Sequence, residues 1–233
     1  MLQVSKVSKR YGPDPILLAV SFVLNHGERV ALIGPNGSGK TTLLRTISGL
    51  LRPTSGTIEF DGRVISNRRA DEIVAAGVIH IPQGDLVFPE MTILENLLMG
   101  AYRSEAWQER KKKLDRVYDL FPVLGERKSQ LARSLSGGER RMLAVGRGLM
   151  GKAKILMIDE PSLGLAPLII ENLYETIQEI NNSGLSILLA DENADHVEGL
   201  ADRVYLLESG VLIKEGIATE MLQDEALLAT YLG

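Results

Sequence analysis

The chain has no cysteine in 233 residues. Disulfides and thiolate zinc sites are therefore excluded, although absence alone does not fix the compartment. It also lacks an excess of positive charge. Lys plus Arg number 26 against 30 Asp plus Glu, a net charge of -4, so there is no electrostatic argument for a nucleic-acid partner. No apolar run approaches the ~20 residues needed to span a membrane. Residues 1–6 carry no signal-peptide hydrophobic region, which makes a cytosolic location, including the cytosolic face of a membrane, the expectation. Repeats and low-complexity segments are missing too. What remains is an ordinary globular composition, 45% hydrophobic and 24% charged, long enough for one large domain or two small ones.

Against that background one segment stands out. Gly34-Pro35-Asn36-Gly37-Ser38-Gly39-Lys40-Thr41 fits G-x-x-x-x-G-K-[ST] without a mismatch. The apolar run 30–33 before it reads as a buried strand, and 42–47 after it has helix-compatible spacing. In such a loop the backbone N–H groups cradle phosphates. Lys40 reaches the β- and γ-phosphates and the Thr41 hydroxyl sits on Mg²⁺. A second apolar run, 155–158, ends in Asp159-Glu160-Pro161 and reads as a fully buried parallel strand with ligands at its C-terminal edge. Asp159 is placed to hold Mg²⁺, and Glu160 to polarise an attacking water.

Leu135-Ser136-Gly137-Gly138-Glu139 is the third informative stretch. Ser136 and Glu139 read as a capping box at a helix start. The cap alone does not explain two glycines in the first turn, each costing roughly 1 kcal/mol relative to alanine. A glycine-lined helix N-terminus is an anion site, with free N–H groups and the positive end of the helix dipole.

The remaining pattern gives the organisation. Residues 1–30 alternate as short strands with turns at Gly12-Pro13 and 25–27. Residues 57–65 read as a hairpin about Asp61-Gly62. A core strand at 77–81 ends at Pro82-Gln83. From about 92 to 149 the chain is helical, opening with a Thr92/Glu95 capping box. An amphipathic stretch from 106 to 121 is ended by Pro122. Beyond 155 strand and helix alternate again, with Pro167 in a first helical turn, a strand at 186–190 and a late hairpin about Ser209-Gly210. The order is β-rich edge, phosphate-loop α/β core, helical insert, and core again.

These three motifs, in this order and spacing, resemble the ATP-binding subunits of ABC transporters, and the resemblance covers essentially the whole chain. It implies an α/β P-loop NTPase (RecA-like) core with an antiparallel β subdomain and an inserted helical subdomain. The expected boundaries are 1–84 with 153–216 for the nucleotide-binding core, 85–152 for the helical signature subdomain, and 217–233 for a C-terminal tail. It implies an ATPase that uses ATP and Mg²⁺. Tyr11 matches the aromatic that stacks on adenine, the alternative being a tyrosine in a half-buried strand. Thr42 extends the ATP loop. Gln83 matches the glutamine that contacts Mg²⁺ and senses the membrane subunit. Leu135 to Glu139 would act in trans, capping the γ-phosphate bound by a second ATPase subunit packed head to tail. Permease contact is expected at Leu86, Val87, Phe88, Pro89 and Met91, an apolar stretch that could also be core.

Within the family the segment Pro161-Ser162-Leu163-Gly164-Leu165-Ala166-Pro167, residues 139–147 and the terminal Tyr231-Leu232-Gly233 are similar to the smaller ATPase of branched-chain amino acid importers. That branch would act peripherally on the cytoplasmic face, with a permease and, indirectly, a solute-binding protein. ATPases for urea or short amides, and lipid-handling systems, are the alternatives. Soluble family members acting on DNA or ribosomes carry long coiled-coil insertions or two cassettes, which 233 residues do not accommodate. One position departs from the pattern. Glu192 stands where the family has a His, or this branch a Gln, against the γ-phosphate. An anion there would repel phosphate unless protonated or turned away, so Glu192 is the weakest catalytic candidate. His196, a few residues into what reads as the next helix, is an alternative switch.

Overall fold

The structure, a computed structural model, describes residues 1–84 and 86–223. In chain order it runs β1 (Leu2–Tyr11), β2 (Asp14–Leu24), β3 (Arg29–Ile33), α1 (Lys40–Ile47), β4 (Ser55–Phe60), β5 (Arg63–Val64), α2 (Ala70–Ala76) and β6 (Val78–Ile81). Five helices follow: α3 (Ile93–Gly100), α4 (Ser104–Gln108), α5 (Arg110–Leu120), α6 (Pro122–Glu126) and α7 (Gly137–Leu149). The chain then returns through β7 (Ile155–Asp159), α8 (Pro167–Asn182), β8 (Ser186–Asp191), β9 (Arg203–Glu208), β10 (Val211–Ile217) and α9 (Ala218–Met221).

Two sheets result. An antiparallel sheet has the order β2-β1-β4-β5, and a six-stranded sheet the order β10-β9-β3-β8-β7-β6, parallel except for β10. The apolar runs of β3 and β7 serve two cores because successive side chains leave opposite faces of a strand. Val30, Leu32, Ile155 and Met157 enter a core shared with α1 and the antiparallel sheet. Ala31, Ile33, Leu156 and Ile158 enter a second core with α3, α7 and α8. The C-terminal ends of β3 and β7 thus sit between two packed layers, β3 leading into the glycine-rich loop before α1 and β7 ending in Asp159 just before Glu160.

Several local readings change. Residues 1–30 hold two long strands of 10 and 11 residues, not several short ones, with register shifts between Val4 and Arg10 and positive φ at Lys6 and Ala19 absorbing the irregularity. The amphipathic stretch at 106–121 is broken at Glu109 into α4 and α5. Pro122 does more than end α5. It keeps Phe121 out of the helical region (φ -133°, ψ 75°) and occupies the first turn of α6. Residues 194–200 form a bend and consecutive turns, not the helix expected around His196. The Asp61-Gly62 and Ser209-Gly210 turns have positive φ at both residues, the geometry that matches hairpin twist. Residues 224–233, including the Tyr231-Leu232-Gly233 segment and most of the expected tail, lie outside the described residues.

Candidate functional site

The loop between β3 and α1 wraps against the rest of the core. A Cβ on Gly34 would fall 2.0 Å from the Leu207 carbonyl, so only glycine lets the chain leave β3 here. Gly39, the N-cap of α1, has φ 110°, which favours glycine as well. The cleft beside this loop, roughly 330 Å³, is lined by Tyr11, Ile16, Asn36, Gly37, Gly39, Lys40, Thr41, Thr42, Gln83 and Glu160. Tyr11 ends β1 with an exposed ring, not a half-buried one, and Lys9 Nζ lies 5.4 Å from its centroid.

Lys40 is buried and its ammonium donates to the carbonyls of Gly34 (2.6 Å) and Pro35 (3.1 Å). It also lies 3.4 Å from Glu160 Oε1. Gln83 Nε2 donates to Glu160 Oε2 at 2.6 Å. Glu160 itself is 5% exposed and holds φ 45°, a left-handed conformation costing a non-glycine residue about 1–3 kcal/mol. Its amide donates to Ala190 at 2.8 Å, which braces it against β8. No sequence signal marks that backbone conformation.

Thr41 Oγ1 donates to Asp159 Oδ1 at 3.2 Å. Asp159 Oδ2 is buried without a partner, and burial pushes this carboxyl up, with Glu160 adding to the shift and Thr41 opposing it. An orphaned carboxylate oxygen beside a threonine hydroxyl is an oxygen-donor set of the kind Mg²⁺ takes, so Thr41 and Asp159 fit that ion, with Gln83 at the same cleft.

The signature segment lies elsewhere. Ser136 caps α7, its Oγ accepting from Glu139 N (3.3 Å) while Glu139 Oε2 accepts from Ser136 N (2.8 Å). That backbone bond holds the Glu139 carboxyl below its usual range, and Arg127 adds an ion pair at 2.9 Å. Leu135 is buried. None of residues 135–139 lines the phosphate-loop cleft. The two glycines differ. A Cβ on Gly138 would lie 2.6 Å from Ile169 Cγ2 of α8, whereas on Gly137 it would meet nothing closer than 3.8 Å. Gly138 is therefore explained by packing within the chain, and Gly137 is not.

Of the apolar segment, Leu86, Phe88 and Pro89 are exposed, Met91 is half-buried, and Val87 turns into the core. Sequence reasoning missed what holds it. Asn96, fully buried on α3, accepts from Phe88 N and donates to the carbonyls of Phe88, Met91 and Thr92. Arg147 donates to Leu86 O at 2.5 Å with its guanidinium 5.1 Å from the Phe88 centroid. Phe88, Met99 and Tyr102 then flank a groove of roughly 250 Å³ between β6 and the helices.

Glu192 is exposed, and its carboxylate accepts from the Asn36 side-chain amide at 2.7 Å. His196 faces Asp191 at 3.5 Å instead of lining the cleft. Among the described residues no helix is long and apolar enough to cross a membrane.

The phosphate loop at the end of β3, the acidic pair at the end of β7 and the capped signature helix in a helical insert define a nucleotide-hydrolysing cassette. The profile of the family described as "ABC transporter" matches residues 17–163, and the chain belongs to that family of ATPases. It is 40% identical, over all of both chains, to a high-affinity branched-chain amino acid transport ATP-binding protein, BraG, of Pseudomonas aeruginosa. It is 36% identical to a probable branched-chain amino acid transport ATP-binding protein, LivF, of Archaeoglobus fulgidus, over 97% of this chain and 95% of that one. Among solved structures, a nucleotide-free ATP-binding cassette from an ABC transporter superposes with a TM-score of 0.87 at 27% identity, covering 100% of this chain and 99% of that one.

Proposed function

We propose that this chain is the ATP-hydrolysing subunit of an importer for branched-chain or related hydrophobic amino acids, working as one half of a head-to-tail ATPase pair. The observation that carries the paired arrangement is the separation of the signature helix from the phosphate-loop cleft, with Gly137 left open and without a packing reason. A dimeric bacterial ABC transporter cassette, 25% identical with a TM-score of 0.82, supports pairing, and the names of the BraG and LivF relatives support the solute class. A lipid-handling role is the second reading, favoured by 31% identity to a lipopolysaccharide export ATP-binding protein, LptB, of Haemophilus influenzae.

In this reading Tyr11 stacks on adenine and the loop from Gly34 to Thr42 wraps the phosphates. Lys40 exchanges its carbonyl partners for phosphate oxygens. Thr41, Asp159 and Gln83 would hold Mg²⁺, which would supply charge neutralisation at the phosphate oxygens. Glu160, released from Lys40, orients the attacking water, while Gln83 stays hydrogen-bonded to it. Leu135 to Glu139 close on the partner's nucleotide. The Asn36 side-chain amide occupies the Glu192 carboxylate, which in this reading does not bind the γ-phosphate as an anion and contributes little to catalysis. Leu86, Phe88, Pro89 and Met91 meet the permease at the cytoplasmic face, and a solute-binding protein acts indirectly through that permease.

Two experiments test it. Affinity purification from the native membrane is expected to recover permease subunits and a sister ATPase, and uptake of leucine is expected to fail in cells lacking the chain. Recovery of lipid-export components instead would replace the solute assignment. Glu160→Gln is expected to lower hydrolysis at least about 100-fold and Glu192→Ala no more than about 3-fold. Equal losses would overturn the role given to Glu192. Phe88→Ala or Met91→Asp is expected to abolish assembly with the permease while hydrolysis by the free chain persists.

A further inference from the structure

Asp191, the last residue of β8, is 2% exposed and lies beside Glu192, yet no phosphate or metal role falls on it. Its carboxylate gathers donors from three segments. The Tyr174 hydroxyl of α8 donates to Oδ2, and Ser162 Oγ donates to the same oxygen at 3.2 Å. The Asn193 amide donates to Oδ1 at 3.0 Å, and His196 Nδ1 stands 3.5 Å from that oxygen. Burial, and after it the carboxylate itself, keep the Tyr174 phenol protonated and so a donor.

Each donor sits at a meaningful place. Ser162 follows Glu160 by two residues, in the loop that leaves β7. Asn193 opens the bend and turns that follow Glu192, where His196 lies near the carboxylate without a hydrogen bond to it. The Glu160 amide is itself bonded to Ala190, the neighbour of Asp191. A buried carboxylate costs several kcal/mol unless its oxygens are satisfied, and breaking one partner of such a group is strongly destabilising to the geometry around it. A strand end needing only to be filled would not need that charge.

We propose that Asp191 is a positioning residue for ATP hydrolysis: its buried carboxylate ties the loop that leaves Glu160 to the turn that carries Glu192. It touches neither phosphate nor metal, and acts by fixing the backbone from which Glu160 reaches the water. This rests on the reading of Glu160 as the group that orients the water. Asn at this position would bring an amide N–H₂ against converging donors, so the network opens without loss of volume.

Steady-state hydrolysis by the full chain, at a temperature where each variant is folded, separates this from a merely structural role. Asp191→Asn is expected to lower kcat about 10-fold or more and to leave the KM for ATP within about 2-fold, with binding of a fluorescent ATP analogue unchanged. Ser162→Ala and Tyr174→Phe each remove one donor and leave the carboxylate in place. Each is expected to lower kcat about 3-fold with KM unchanged, and the double variant to lose less than the product of the two. These two carry the test if Asp191→Asn does not fold. Wild-type kcat in Ser162→Ala and Tyr174→Phe, or a KM that rises as kcat falls, overturns the proposal. Loss of kcat in Glu160→Gln but not in these variants would leave the Glu160 reading standing and remove this one.

Discussion

At the scale of single residues, Asp159, in its proposed role as an Mg²⁺ ligand, sets function against stability. Its carboxyl is buried, one oxygen has no partner, and burial raises its affinity for a proton. A carboxyl whose folded pKa is raised opposes folding at neutral pH, because the ionised form is better solvated in the unfolded chain. Without a cation, then, this residue destabilises the protein it serves. Asp159→Asn keeps an acceptor for Thr41 and removes the charge. It is expected to raise the melting temperature of the nucleotide-free protein by a few degrees, about 2–4 °C per kcal/mol at this chain length. It is also expected to lower Mg²⁺-dependent hydrolysis about 100-fold or more. Calorimetry and a phosphate-release assay on the same preparation check both halves, and a variant that is both inactive and less stable refutes the argument.

At the scale of elements, α7 combines a cap and, in the proposed pairing, a nucleotide-facing surface in one turn. Gly138→Ala drives a methyl to within 2.6 Å of Ile169 Cγ2, and overpacking against α8 is expected to cost about 1–3 kcal/mol in chemical denaturation. Gly137→Ala meets only ordinary contacts at 3.8 Å and replaces glycine in a helix. It is expected to leave stability unchanged or raise it by up to about 1 kcal/mol, while ATP-driven pairing weakens because the open surface is now filled. Destabilisation by Gly137→Ala equal to that of Gly138→Ala would remove the distinction. The capping boxes at Thr92 and Ser136, the buried runs of β3 and β7, and the Asp-Gly hairpin were legible because each rests on contacts within a few residues. Glu160's left-handed backbone, the grip of Asn96 on 88–92, and the gathering of donors on Asp191 were not, because they depend on elements brought together from distant parts of the chain. The bend and turns at 194–200 escaped for the opposite reason: Asp191 and Asn193 bond to backbone two residues on, and this local bonding competes with the helix that the apolar spacing suggested.

At the scale of the whole molecule, two groups couple the packing of the layers to pH. His80 of β6 sits beneath α1, its Nδ1 3.2 Å from Ser48 Oγ and its Nε2 buried without a partner. Burial, with Arg45 adding, pushes its pKa down to about 4. Asp61, in the β4–β5 turn, pairs with Lys154 just before β7 at 2.8 Å and with the Met1 amine at 2.8 Å, which ties the antiparallel sheet to the core sheet. The hydrogen bond from Lys154, then that from the amine, holds its carboxyl at about 2. For His80 the unfolded chain takes up the proton first, near its ordinary value of about 6.5, so stability falls as pH drops from about 6.5 to about 4. For Asp61 the folded pKa is also depressed, so its contribution is present above about 4 and is lost as pH falls towards about 2. Acid loss of stability is therefore expected in two windows, about 3 kcal/mol from His80 and about 1 kcal/mol from the partly solvated Asp61 pair. His80→Gln flattens the upper window and leaves the lower one, and Asp61→Asn does the reverse. Denaturant midpoints at pH 7, 5 and 3 for the two variants check the assignment, and an upper window that persists in His80→Gln places the titrating group elsewhere.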